Sequence, residues 1–153
     1  MKLKNVANLI NIKIETCTLN KSEYISTENM KQNFGGVSLV SHIPHGKCTS
    51  FLKNDVLISN IAPYFKKIWC AKFNGGCSND VLVLRNNKNI NPKFLFYLIC
   101  NDKFINYYGS SCKGTTIPRG NKDALLEWEF NLPPLEFQQH IVNTISFLLL
   151  KSF

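Results

Sequence analysis

Missing from this sequence are the short patterns that usually carry chemistry. Its six cysteines, at 17, 48, 70, 77, 100 and 112, form no C-x-x-C, and the tightest pair, Cys70 and Cys77, has six residues between. His42 and His45 flank Pro44, so they do not share a helical face. The usual spacings of structural zinc are therefore absent, and the cysteines read as reduced thiols, several of them buried as small apolar residues. Neither G-x-G-x-x-G nor G-x-x-x-x-G-K-[ST] occurs, so no glycine-rich cradle is present for a nucleotide or cofactor phosphate. H-E-x-x-H and G-x-S-x-G are absent as well. The Pro-Pro pair lies in "LPPL", with leucine at both flanks. A methyltransferase acting on an exocyclic amine needs Asp or Asn before such a pair and an aromatic after it. The carboxylates in "ETC", "EYI", "ENM", "EWE" and "EFQ" lack the lysine of an Asp…Glu-x-Lys nuclease. Any catalysis would have to rest on an unrecognised cysteine or metal site.

Long apolar runs are missing too. No stretch approaches the roughly 20 residues that span a bilayer, and the first residues, "MKLKNVANLINIKIETC", hold no continuous apolar h-region. The expectation is a cytoplasmic protein with no membrane partner. At 153 residues, 44% hydrophobic and 12% aromatic, the chain suits one domain with a real core.

Acidic residues are absent over three stretches. Residues 29–54 hold Lys31, Lys47 and Lys53 without an acid; residues 56–79 hold Lys66, Lys67 and Lys72; residues 103–122 hold Lys103, Lys113, Arg119 and Lys122. With a net charge of +8, these stretches could form one positive face, as polyanion binding requires. Solvated lysines in a lysine- and asparagine-rich chain are the alternative.

What is present reads as short strands with few helices. "NFGGVSLV" and "NGGCSNDVLVLR" each open with a Gly-Gly turn before a strand, and 56–59 and 81–84 are strand cores. "NPKFLFYLICNDKFINYYG" has helical spacing, with Pro92 in the first turn and Gly109 as a stop. "SSCKGTTIPRGNK" is a polar loop. After Pro133-Pro134, "LEFQQHIVNTISFLLLKSF" is a helix with Phe137 or Ile141, Ile145, and Leu148 or Leu149 on one stripe. The class is α+β: a mixed β-sheet domain with short helices, followed by a C-terminal helix.

"YISTENM", "NDVLISNIAPYFKKIW", "GGCSNDVLVL", "NPKFLFYLI", "KGTTIPRGNK" and "LPPLEFQQHI" occur in this order. Together they resemble one target-recognition half of the specificity (S) subunit of type I restriction–modification systems, over most of the chain from Tyr24 to Ile145. The resemblance implies a DNA-recognition domain over 1–132 and the start of a spacer helix, a shortened coiled-coil arm, over 133–153. It implies a non-catalytic chain that binds double-stranded DNA and assembles with a modification (M) subunit and, through the complex, a restriction (R) subunit. S-adenosylmethionine, ATP and magnesium are then expected on those partners and no cofactor on this chain. Self-association or pairing with a second S fragment would rebuild a two-fold reader of a bipartite site. An assembly-defective remnant is the alternative.

The DNA-binding candidates are Lys31, Ser59, Asn60, Tyr64, Lys66, Lys67, Lys113, Thr115, Thr116, Arg119, Asn121 and Lys122. Lysine and arginine suit phosphates; hydroxyl, amide and aromatic groups suit base edges. Phe137, Ile141, Ile145, Leu148 and Leu149 are the candidates for the partner-binding helix. The sequence departs from the family at Ala62, which stands where arginine is frequent, at Thr116 and Asn121, which stand where lysine and aspartate are, and in an expected spacer helix shorter than the family's.

Overall fold

The structure, a computed structural model, describes residues 1–113 and 117–151. Eight strands form two four-stranded sheets. The first has the order β1 (Ala7–Leu9), β8 (Val81–Asn86), β5 (Val56–Ser59), β6 (Ile68–Cys70), and all its pairings are antiparallel. The second has the order β2 (Lys13–Glu15), β4 (Lys47–Phe51), β7 (Gly75–Cys77), β3 (Tyr24–Ile25), with β3 and β7 parallel.

The runs "VLIS" and "VLVL" are continuously apolar or small because their strands are covered on both faces. Side chains alternate across a strand, and the two cores follow that alternation. Val56, Ile58, Ile68, Leu82 and Leu84 point to the helical layer. Leu57, Trp69, Val81 and Val83 point to the second sheet, where they meet Phe51, Ile25 and Cys77. The helical layer comprises α1 (Pro92–Ile99), α2 (Asp102–Ser110), α3 (Lys122–Glu127) and α4 (Leu135–Lys151). The molecule therefore has three layers, with the first sheet in the middle. Asp55, almost fully buried, is held by Arg85 on β8 through two hydrogen bonds of 2.8 Å and itself receives the Leu52 N–H.

Three expectations change. After Gly35-Gly36 no strand forms, and Val37 makes only an isolated bridge to Met30. The long helix over 92–109 is two helices, because Asn101 is extended (φ −124, ψ 157) and its side chain receives the Phe104 N–H at 2.9 Å. That cap starts α2 afresh, as the Asn91 cap starts α1. The Gly-Gly of "NGGC" is not a turn but the strand β7. A Cβ on Gly75 would lie 2.2 Å from the Glu23 carbonyl oxygen, and one on Gly76 would lie 2.5 Å from Cys48 Sγ. Close approach of neighbouring elements, not chain reversal, requires glycine here.

The start of the chain is stitched to the segment after α3. Leu3 N–H donates to Trp128 C=O and Phe130 N–H to Met1 C=O, each at 2.9 Å. Helix α4 packs on α1, but its buried seam is Gln138 and Val142. Gln138 is wholly buried: its Oε1 accepts the Asn91 N–H at 2.7 Å, and its Nε2 donates to Asn89 and Pro133 carbonyls. Among the described residues no helix is long and apolar enough to cross a membrane.

Candidate nucleic-acid interface

Three connections meet at the end of the first sheet where β5 finishes and β6 and β8 begin. They are residues 60–67, 78–80, and 111–113 with 117–122, the last of which opens α3. Asn60 is the junction. Its N–H donates to Asp80 C=O at 2.8 Å, its C=O accepts the Gly120 N–H at 3.1 Å, and its Oδ1 accepts the Tyr108 hydroxyl. Burial pushes the Tyr108 phenol above its ordinary value, so it stays a donor. A Cβ on Gly120 would lie 2.2 Å from the Tyr108 ring, so only glycine lets the loop pass over it. Ala62 N–H donates to Pro118 C=O at 2.9 Å. Lys113 and Arg119 exchange two backbone bonds of 2.9 and 3.0 Å.

Upon this base stands a short 3-10 turn, Pro63–Phe65, bracketed by left-handed Ala62 (φ 46) and Lys66 (φ 58). Non-glycine residues adopt that conformation at a cost of about 1–3 kcal/mol each, sustained by surrounding structure. That structure is visible: Asn33 and Phe34 N–H groups donate to the Phe65 and Lys66 carbonyls at 3.0 and 2.8 Å. The turn lifts Tyr64 and Phe65 outward, 53% and 42% exposed, with ring centroids 4.8 Å apart.

The structure sorts the sequence candidates into supports and surface. Ser59 and Asn60 are buried, and Ser59 Oγ donates to Ile61 C=O at 3.1 Å. Lys67 Nζ is turned to the Thr27 carbonyl at 2.7 Å. Asn121 caps α3 by accepting the Asp123 and Ala124 N–H groups, a task the family's aspartate can also perform. Tyr64, Lys113, Arg119 and Lys122 are exposed on the three connections, and Lys31 is exposed on the neighbouring 30–37 segment. Lys66 is half-buried, 3.2 Å from Asp102, and Arg119 stands 3.4 Å from Asp80 while remaining 57% exposed. Thr115 and Thr116 lie outside the described residues.

Phe65, Tyr108, Asp80 and Lys13 belong to this assembly without having been singled out in the sequence. Lys13 Nζ donates to Thr49 Oγ1 and Asn79 Oδ1, both at 2.9 Å, in a hollow of about 360 Å³ that Lys122 also lines. Lys13 lies in an alternating strand pattern, which marks its side chain as facing outward but not what it meets. Of the helix candidates, Phe137, Leu148 and Leu149 are exposed and Ile141 and Ile145 half-buried, so the expected stripe lies beside the buried seam.

All six cysteines are free; burial pushes Cys77 up to about 12 and raises Cys48, Cys70, Cys100 and Cys112 as well. Protonated thiols are poor nucleophiles. No group of three His, Cys, Asp or Glu residues able to hold a metal occurs among the described residues.

Residues 1–150 match the family described as type I restriction modification DNA specificity domain. The type I restriction enzyme EcoDI specificity subunit of Escherichia coli is 31% identical over 95 residues, which are 62% of this chain and 21% of that protein. The HsdS subunit from Thermoanaerobacter tengcongensis has a TM-score of 0.75 at 22% identity over 99% of this chain and 42% of its own. The type I S subunit from M. genitalium has a TM-score of 0.66 at 19% identity, over 96% and 37%. The fold is thus shared with these structures, and the chain spans about a fifth to two fifths of the relatives' lengths.

Proposed function

This chain belongs to the family of type I restriction modification DNA specificity domains, and on that premise we propose that it reads one half of a bipartite DNA site. It acts as the non-catalytic S component of a type I complex. The reading is carried by the platform around Asn60. Buried Ser59, Asn60 and Tyr108 fix three connections to one another, and these connections present Tyr64, Phe65, Lys113, Arg119 and Lys122 to solvent. Rigid support beneath exposed cationic and aromatic side chains suits duplex recognition, in which phosphate contacts position the protein and base contacts specify.

In this account 1–132 is the reader and 133–153 begins the assembly arm. The arm changes character along its length. Near Gln138 and Val142 it belongs to the core, whereas Phe147, Leu148, Leu149 and Leu150 are all exposed and point around the helix. A helix apolar all round requires cover, which an M subunit, a second S fragment or a second copy supplies. Methylation with S-adenosylmethionine, and ATP- and magnesium-dependent cleavage, belong to the M and R partners.

Reconstitution tests the reading. The chain mixed with an M subunit of the same genome should co-elute and confer methyl transfer on duplex DNA that the M subunit alone does not modify. A mixture that neither co-elutes nor gains transfer would identify the chain as an assembly-defective remnant.

A further inference from the structure

We infer that the outer edge of β6 is a docking groove for an extended, acidic and apolar segment of a partner protein. The segment would extend the first sheet by a further strand. The register fixes which groups face outward. Ser59 N–H donates to Lys67 C=O at 3.0 Å, Ala71 N–H donates to Asp55 C=O at 2.8 Å, and Leu57 stands opposite Trp69. Residues 67, 69 and 71 therefore bond to β5, and the peptide groups of Ile68 and Cys70 point away from the sheet. Pairing along that edge is begun and then abandoned. Phe34 N–H donates to Lys66 C=O at 2.8 Å, after which the chain turns away through Gly35 and Gly36 (φ 87). Between this turn and residues 69–72 lies an open groove of about 750 Å³.

The groove is built for a particular chemistry. Its walls are Phe34, Trp69, Phe96, Tyr97 and Leu149. Its rim carries Lys53, Lys72 and Lys93, all exposed and without an ion-pair partner among the described residues. Asp55, the nearby acid, is buried and already bound to Arg85. An occupant must offer backbone donors and acceptors to Cys70, apolar side chains to the walls and carboxylates to the rim. An extended polypeptide does all three. The phosphate backbone of duplex DNA offers acceptors only, which leaves the Cys70 carbonyl unmet and the aromatic walls uncovered. The groove also lies at the end of β6 away from the Asn60 platform, beside the part of α4 assigned above to assembly. The inference rests on the proposed function, and of the covers named there for α4 it commits to a segment of the M subunit.

Hydrogen exchange measured on the full chain tests it. The expected result is that the outward amide of Cys70 slows by about tenfold when purified M subunit is added without DNA. Slowing by duplex DNA alone would assign the groove to nucleic acid and overturn the inference. A complex that co-elutes and methylates DNA with this amide unslowed would overturn it while leaving the proposed function intact. Failure to co-elute overturns both. Two variants sharpen the test. Cys70→Pro removes an outward N–H at an edge position that tolerates proline. The double change Lys72→Glu with Lys93→Glu reverses the rim on exposed side chains that bear no packing. The double variant should weaken M-subunit affinity about tenfold, with duplex affinity and melting temperature unchanged. Undiminished M-subunit affinity in the charge-reversed chain would refute the groove.

Discussion

Arg119 and Gly120 are neighbours whose substitution should have opposite signatures. Arg119 is exposed and its ion pair with Asp80 is long, so Arg119→Ala should change stability by less than about 1 kcal/mol. It should lower the salt dependence of duplex binding by about one unit of slope, as expected for one lost phosphate contact. Titrations at several salt concentrations check this. Gly120→Ala puts a methyl 2.2 Å from the Tyr108 ring and should cost about 1–3 kcal/mol in denaturant unfolding. Gly109→Ala is the control: nothing lies within 4 Å of its Cβ position in α2, so it should stabilise by about 0.5–1 kcal/mol. At this scale the sequence was a partial guide. Asn60 and Tyr64 share one loop-like stretch, and polarity alone cannot say which of them turns inward. The partner that draws Asn60 inward, Tyr108, is 48 residues away. Lys13 was passed over for the same reason, since Thr49 and Asn79 reach it from other elements.

Elements are joined by a few polar contacts whose loss is measurable. Glu127 on α3 receives hydrogen bonds from Lys2, at 2.6 Å, and from Lys4, and these hold its carboxyl down at about 2, below the ordinary 4.5. A carboxylate depressed in the folded state contributes stability that is full above about 4.5 and is lost as pH falls toward about 2. Melting curves between pH 5 and pH 2 should therefore show a smaller fall for Glu127→Gln than for the native chain. Gln138 anchors α4 to the start of α1, and Gln138→Ala would strand the half-buried Asn91 N–H at a cost of about 1–3 kcal/mol. Denaturant unfolding of that variant checks the figure. Elements with strong local signals were legible, as β5 and β8 were from their apolar runs and α4 from its start after Pro133-Pro134. The break between α1 and α2 rests on a single asparagine cap within a continuous helical pattern. β7 rests on glycines whose purpose is visible only against Glu23 and Cys48.

For the whole molecule, two sheets and a helical layer hold the cationic and aromatic loops at one end and leave α4 with an apolar end in solvent. The class and the order of motifs were legible because buried strands and capped helices are local signals. The joining of three distant loops into one platform was not, because it depends on contacts between residues far apart in the chain. The central claim is that this platform selects the DNA sequence a partner methylates. Mapping methylated adenines genome-wide, with this gene intact and with it deleted, tests the claim most directly. The account predicts that one bipartite adenine motif loses its methylation on deletion and regains it when the gene is restored. An unchanged adenine methylation pattern would contradict it.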